Sequence, residues 1–143
     1  MAIGRTGTTV TYEASAAFPG DPHAPGRARA WALARIREGL HGADDMLLDD
    51  AALVLSELVT NALRAGGTSV TVQLQLWPGR LRVAVTDSAP GRPHLRHPGL
   101  RETSGRGLQV VATLADDWGV TELDPAGGKQ VWAELALIRA RVM

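Results

Sequence analysis

Residues 44–67, DDMLLDDAALVLSELVTNALRAGG, decide how the chain is read. On a helical wheel Leu47, Leu48, Ala51, Val54, Leu55, Leu58, Val59, Ala62 and Leu63 fill one broad arc, while Ser56, Glu57, Thr60, Asn61 and Arg64 share the other. The spacing predicts an amphipathic helix, opened by Asp44 or Asp45 at the free amides of its first turn and stopped by Gly66 and Gly67. Glu57 and Asn61 are one helical turn apart, so their side chains leave one face, where a single small ligand or ion can touch both. A solvated polar face is the ordinary alternative.

Working outward, Val70, Val72, Leu74 and Leu76 alternate with polar residues, Trp77 to Arg80 make a turn, and Leu81, Val83 and Val85 resume the alternation as far as Asp87. That is a hairpin with one apolar face. Upstream, Thr8 to Phe18 alternates as a strand, a breaker cluster from Pro19 to Gly26 closes it, and a helix runs from about Arg27 to Leu40. Its expected buried stripe is Ala28, Trp31, Ala32, Ile36 and Leu40. Downstream, residues 88–104 lose periodicity and gather Pro90, Gly91, Pro93, Pro98 and Gly99, a candidate lid loop. A third helix begins near Gly105, with Thr103 or Ser104 as its cap and Leu108, Val111, Ala112 and Ala115 turned inward. Trp118 to Leu123 and Lys129 to Leu137 follow as strands around a DPAGG turn. Helices that supply the apolar surface the hairpin lacks give a two-layer α/β sandwich, with a mixed, mainly antiparallel sheet and helices on one face.

Composition narrows the function. With 143 residues the chain is read as a single domain, 1–143, large enough to bury its own core. It has no cysteine, which excludes disulfides, thiolate chemistry and cysteine-bound zinc. Fifteen basic and fifteen acidic residues cancel, leaving no overall field to hold a nucleic-acid backbone. No apolar run reaches the ~20 residues of a membrane span and no signal peptide is recognisable, so the expectation is a cytoplasmic protein without a membrane partner. The histidines at 23, 41, 94 and 97 lack metal-ligand spacing, and no nucleophile elbow is present.

Two further stretches can carry chemistry. Gly105, Arg106, Gly107 and Leu108 open a helix directly after a locally basic loop, so backbone amides and the positive helix end can receive an anion, although glycine at a helix start is also ordinary. Asp87 ends a strand, where it either caps the turn or points a carboxylate at an exocyclic amine such as that of adenine.

Taken in order, these stretches resemble the gyrase, chaperone, histidine-kinase and mismatch-repair ATPase superfamily, the Bergerat fold. Within it they are most similar to stand-alone bacterial anti-sigma-factor serine/threonine kinases. The resemblance runs from about Phe18 to Leu135: Ser56-Glu57-Leu58-Val59-Thr60-Asn61-Ala62 looks like the asparagine box, Asp87-Ser88-Ala89-Pro90-Gly91 like the first glycine box and Gly105-Arg106-Gly107-Leu108 like the second. It implies ATP and Mg²⁺ as cofactors, with Asn61 on the metal and Glu57 as general base. Asp87 would read the adenine amine, Ala89 and Gly91 would leave room for the ring, and Gly105, Arg106, Gly107 and Leu108 would cradle the phosphates. It implies a sigma factor and an anti-anti-sigma antagonist as partners and is compatible with a homodimer. Arg64 and Lys129 are added as candidate phosphate cations, with solvated surface as the alternative. Ala89, Ala65 and Gln130 depart from the family pattern, which expects glycine, histidine and a base-binding threonine there. A non-catalytic interaction module with a degenerate nucleotide site is therefore the second reading.

Overall fold

The computed structural model describes residues 9–66, 68–87, 105–123 and 128–137. Strand β1 (Tyr12–Pro19) leads into helix α1 (Ala24–Gly39) and helix α2 (Asp45–Arg64). The hairpin β2 (Ser69–Trp77) and β3 (Arg80–Asp87) follows. Helix α3 (Gly105–Leu114) and strands β4 (Asp117–Glu122) and β5 (Lys129–Ala136) complete the order. The five strands form one sheet, β1-β2-β3-β5-β4, and all four of its pairings are antiparallel, so the mixed component expected from the sequence is not found among the described residues. The candidate lid at 88–104 and most of the DPAGG turn lie outside the described residues.

Register explains how the layers meet. Val70, Val72, Leu74 and Leu76 of β2, Leu81, Val83 and Val85 of β3, and Val131, Ala133 and Leu135 of β5 are all buried and of one parity across the sheet. Against that face lies α2, which packs on β3, β5 and β2 and is flanked by α1 and α3. Asp44 accepts from the Met46 amide at 3.0 Å and so caps α2, as its sequence suggested. Each fully buried leucine or valine of this interface contributes about 1.5–3 kcal/mol, which makes α2 the largest single source of core stability.

The first helix differs from its expected bounds. It begins at Ala24 rather than about Arg27, because Pro25 occupies the first turn, where its missing N–H and fixed φ are no handicap. Asp21 prepares that start: its Oδ1 accepts from the His23 amide at 2.8 Å and its Oδ2 from Arg27 at 3.2 Å. The His23 amide, with Arg27 behind it, holds the Asp21 carboxyl below its usual range. The buried stripe is Ala24, Ala28, Ala32 and Ile36, while Trp31 is half-buried edge-on to Phe18, with ring centroids 6.0 Å apart. Among the described side chains of α3 only Val111 is fully buried and Ala112 is exposed, since that helix lies at the margin of the layer. Among the described residues no helix is long and apolar enough to cross a membrane.

The end of α1 is held against the sheet by a glycine. A Cβ at Gly39 would fall 2.5 Å from Tyr12 Cγ and 2.8 Å from Leu76 Cδ1, so the helix can approach this closely only without a side chain. Gly39→Ala is expected to cost about 1–3 kcal/mol in urea unfolding through overpacking. Gly26→Ala, whose nearest neighbour would be the flexible end of Arg29 at 3.9 Å, should be neutral or slightly stabilising. Equal effects of the two would show that α1 can tilt away from the sheet freely.

Candidate functional site

Because α2 is covered by α1, α3 and the sheet, burial extends round its circumference further than an amphipathic wheel suggests. Ser56 and Asn61, read from sequence as part of a polar face, are 9% and 6% exposed. The Ser56 hydroxyl is satisfied inside the helix, donating to the carbonyls of Ala52 and Leu53 at 3.1 Å each. Asn61 is different. Its Oδ1 is buried and has no hydrogen-bond partner among the described residues. Such an atom costs about 1–3 kcal/mol. It is an oxygen acceptor waiting for a donor or a hard cation, so the amide fits the Mg²⁺ expected there. Glu57, one turn earlier, is half-buried and so reachable. No group of three or more His, Asp or Glu among the described residues could hold a metal alone, so a cation on Asn61 would share its coordination with ligand oxygens.

Asp87 ends β3 on the helix-facing side, in the same parity as Val83 and Val85, and is 5% exposed. Strand register sets it across from Val70 on one side and Lys129 on the other. Lys129 is 8% exposed, and a solvated surface location is therefore overturned: it heads the buried row Val131, Ala133 and Leu135. Gln130, expected from the sequence to stand at the base, alternates to the opposite face of the sheet. There its Nε2 donates to Thr86 Oγ1 at 3.2 Å, so its departure from the family pattern does not reach the site.

Chain connectivity brings these groups to one end of the sandwich. Arg64 closes α2 and only a short connection precedes β2, whose Val70 pairs with Asp87; the Asn61 end of α2 therefore meets the Asp87 end of β3. Helix α3 runs the other way. Its C-terminal end is tied to the far end of β5, where the Asp116 amide donates to the Glu134 carbonyl at 2.8 Å and Asp116 Oδ2 accepts from the Ala136 amide at 2.7 Å. Gln109, Val110, Thr113 and Leu114 of α3 share a shallow groove of about 420 Å³ with Leu53, in the first half of α2. The Gly105 end of α3 thus points back toward the half of α2 that carries Glu57 and Asn61. Gly105, Arg106 and Gly107 form the first turn of α3, as expected, and Leu108 is half-buried. The Arg106 side chain, Ala89 and Gly91 lie outside what is described.

One polar cluster was missed from the sequence. Glu134, 1% exposed on the face opposite the described helices, accepts from Arg80 at 3.3 Å and Arg82 at 3.2 Å, and Arg82 lies 4.4 Å from the centre of the Trp132 ring. Arginines at alternate positions of β3 were the one available signal.

A family model described as histidine kinase-like ATPase domain matches residues 18–135. Comparison with curated proteins returns no match.

Asn61→Leu keeps the branch at Cγ and removes the unpartnered oxygen. Its stability in urea is expected to lie within about 1 kcal/mol of the parent, or above it. Leu58→Ala, in the same helix and 1% exposed, should lose about 2–5 kcal/mol. Comparable losses in both would mean that the amide oxygen has a stabilising partner.

Proposed function

The chain belongs to the histidine kinase-like ATPase family, and from that premise we propose that it is an ATP-binding regulatory protein with serine/threonine kinase activity of the anti-sigma type. The observation that carries the reading is the buried, unpartnered Oδ1 of Asn61, one turn from the reachable Glu57 and at the Asp87 end of the sandwich. When bound, ATP supplies the transferable phosphoryl group and Mg²⁺ spreads and neutralises its charge.

The residues divide the work. Asn61 holds the cation through Oδ1, a neutral hard ligand that adds no negative charge against the phosphates. The Glu57 carboxylate takes the proton of the attacking hydroxyl, a serine or threonine of the antagonist protein, or water in simple hydrolysis. Asp87 accepts a hydrogen bond from the adenine amine, and its burial away from competing water strengthens that bond. The backbone amides of Gly105, Gly107 and Leu108 at the start of α3 receive the phosphates. In this reading the protein works in the cytoplasm, captures a sigma factor and is relieved of it by an anti-anti-sigma antagonist that it phosphorylates; a homodimer is compatible with it.

A non-catalytic module is the second reading. It draws on Ala65, buried at the C-cap of α2 with its amide on the Asn61 carbonyl at 3.1 Å, where related regulators carry a titratable histidine.

Calorimetric titration with ATP and Mg²⁺ separates the two, since absence of saturable heat at millimolar nucleotide leaves only the module. Given binding, Glu57→Ala is expected to retain it while phosphotransfer and hydrolysis fall by about 10²–10⁴-fold; unchanged turnover would remove Glu57 as the base. Asp87→Asn should narrow the preference for ATP over GTP, and an unaltered preference would reduce Asp87 to a strand cap.

A further inference from the structure

We propose that Lys129 is a specificity residue of the nucleotide pocket, donating from its ammonium to ring nitrogen N1 of adenine while Asp87 accepts from the neighbouring exocyclic amine. The inference rests on the ATP-binding reading above and adds to it the second half of base recognition.

Placement comes first. Lys129 begins β5 with its side chain in the parity of Val131, Ala133 and Leu135, which face the helix layer. Antiparallel register sets it directly across from Asp87, the last residue of β3. The row continues to Glu122 on β4, so the lysine stands between two carboxylate-bearing positions, one buried and one exposed. Lysine is among the residues least often buried, and one 8% exposed needs carboxylate partners or a ligand to offset its desolvation. Register places it beside Asp87, the position proposed to read the base, rather than on α3, whose start is proposed to receive the phosphates.

Chemistry then fixes the role. The edge of adenine offers a donor, the exocyclic amine, next to an acceptor, N1. Asp87 is an acceptor only and a lysine ammonium is a donor only, so the two strand positions present the complement of that edge. Guanine in the same pose would set its O6 against the carboxylate and its N1–H against the ammonium, a mismatch at both points. Asp87 alone reads one of the two groups; with Lys129 the pair of strand positions reads both, and guanine sets acceptor against acceptor and donor against donor.

The test uses the full chain, with calorimetric titration of ATP and of 1-deaza-ATP, in which N1 is replaced by C–H. The parent is expected to bind ATP about tenfold more tightly than the deaza analogue, the worth of one charge-assisted hydrogen bond. In Lys129→Met, which keeps an apolar stem, the two nucleotides should bind equally and discrimination against GTP should shrink. Equal affinities in the unsubstituted protein overturn the proposal without any variant having to fold. So does a preference for ATP over 1-deaza-ATP that survives in Lys129→Met, which would make the lysine a counter-charge for Asp87 and Glu122 and nothing more. If ATP itself fails to bind, the ATP-binding reading falls and this inference with it, whereas ATP binding with no N1 preference removes the inference alone.

Discussion

The packing of α2 on β3 is the constraint from which the other features follow. It buries Leu55, Leu58, Val59 and Ala62 against the apolar rows of the hairpin and β5, and the sum of those terms far exceeds the ~1–3 kcal/mol cost of an unsatisfied amide oxygen. The helix can therefore carry Asn61 into a buried position without losing the fold. The same packing sets direction. With α2 ending beside the start of β2, the last turn of the helix and the last residue of β3 must share one end of the sandwich, whatever the loops between them do.

How much of this was legible in the sequence depended on whether a residue's surroundings follow from its own element. The alternation from Val70 to Val85 specified the hairpin, its turn and its apolar face, because a strand's two faces are fixed by parity alone. The helix at 45–64 was equally clear in extent, yet its wheel set Ser56 and Asn61 on the polar arc, outside the buried one. A wheel measures one helix against one surface, and α2 is covered on three sides. Pro25 misled for a related reason: in isolation it reads as a breaker, and only the Asp21 turn ahead of it makes it the first turn of α1.

The strand β5 is a case where the sequence held the answer but the resemblance drew attention elsewhere. Lys129, Val131, Ala133 and Leu135 alternate as strictly as the hairpin, which already places Lys129 with the core and Gln130 away from it. Glu134 was illegible for the opposite reason. It belongs to the face of the sheet that none of the described helices covers, where a charged residue is expected to be wet. Its burial arises from the arginines of the neighbouring strand and the Trp132 ring beside them. Glycine at 119 completes that arrangement, since a Cβ there would come within 2.8 Å of Trp132.

The two faces of the sheet consequently solve the problem of buried charge in different ways. On the face opposite the described helices Glu134 meets two arginines, so both carboxylate oxygens are engaged. On the helix side the ionisable residues stand at strand ends, Asp87 closing β3 and Lys129 opening β5, where the apolar rows stop and the chain leaves the layer. An oxygen without a partner on the core helix adjoins the same margin. A self-contained ion cluster stabilises one arrangement of the strands, whereas a buried acceptor such as Asn61 Oδ1 is stabilised further by a donor or cation that reaches it, and that difference distinguishes the helix side.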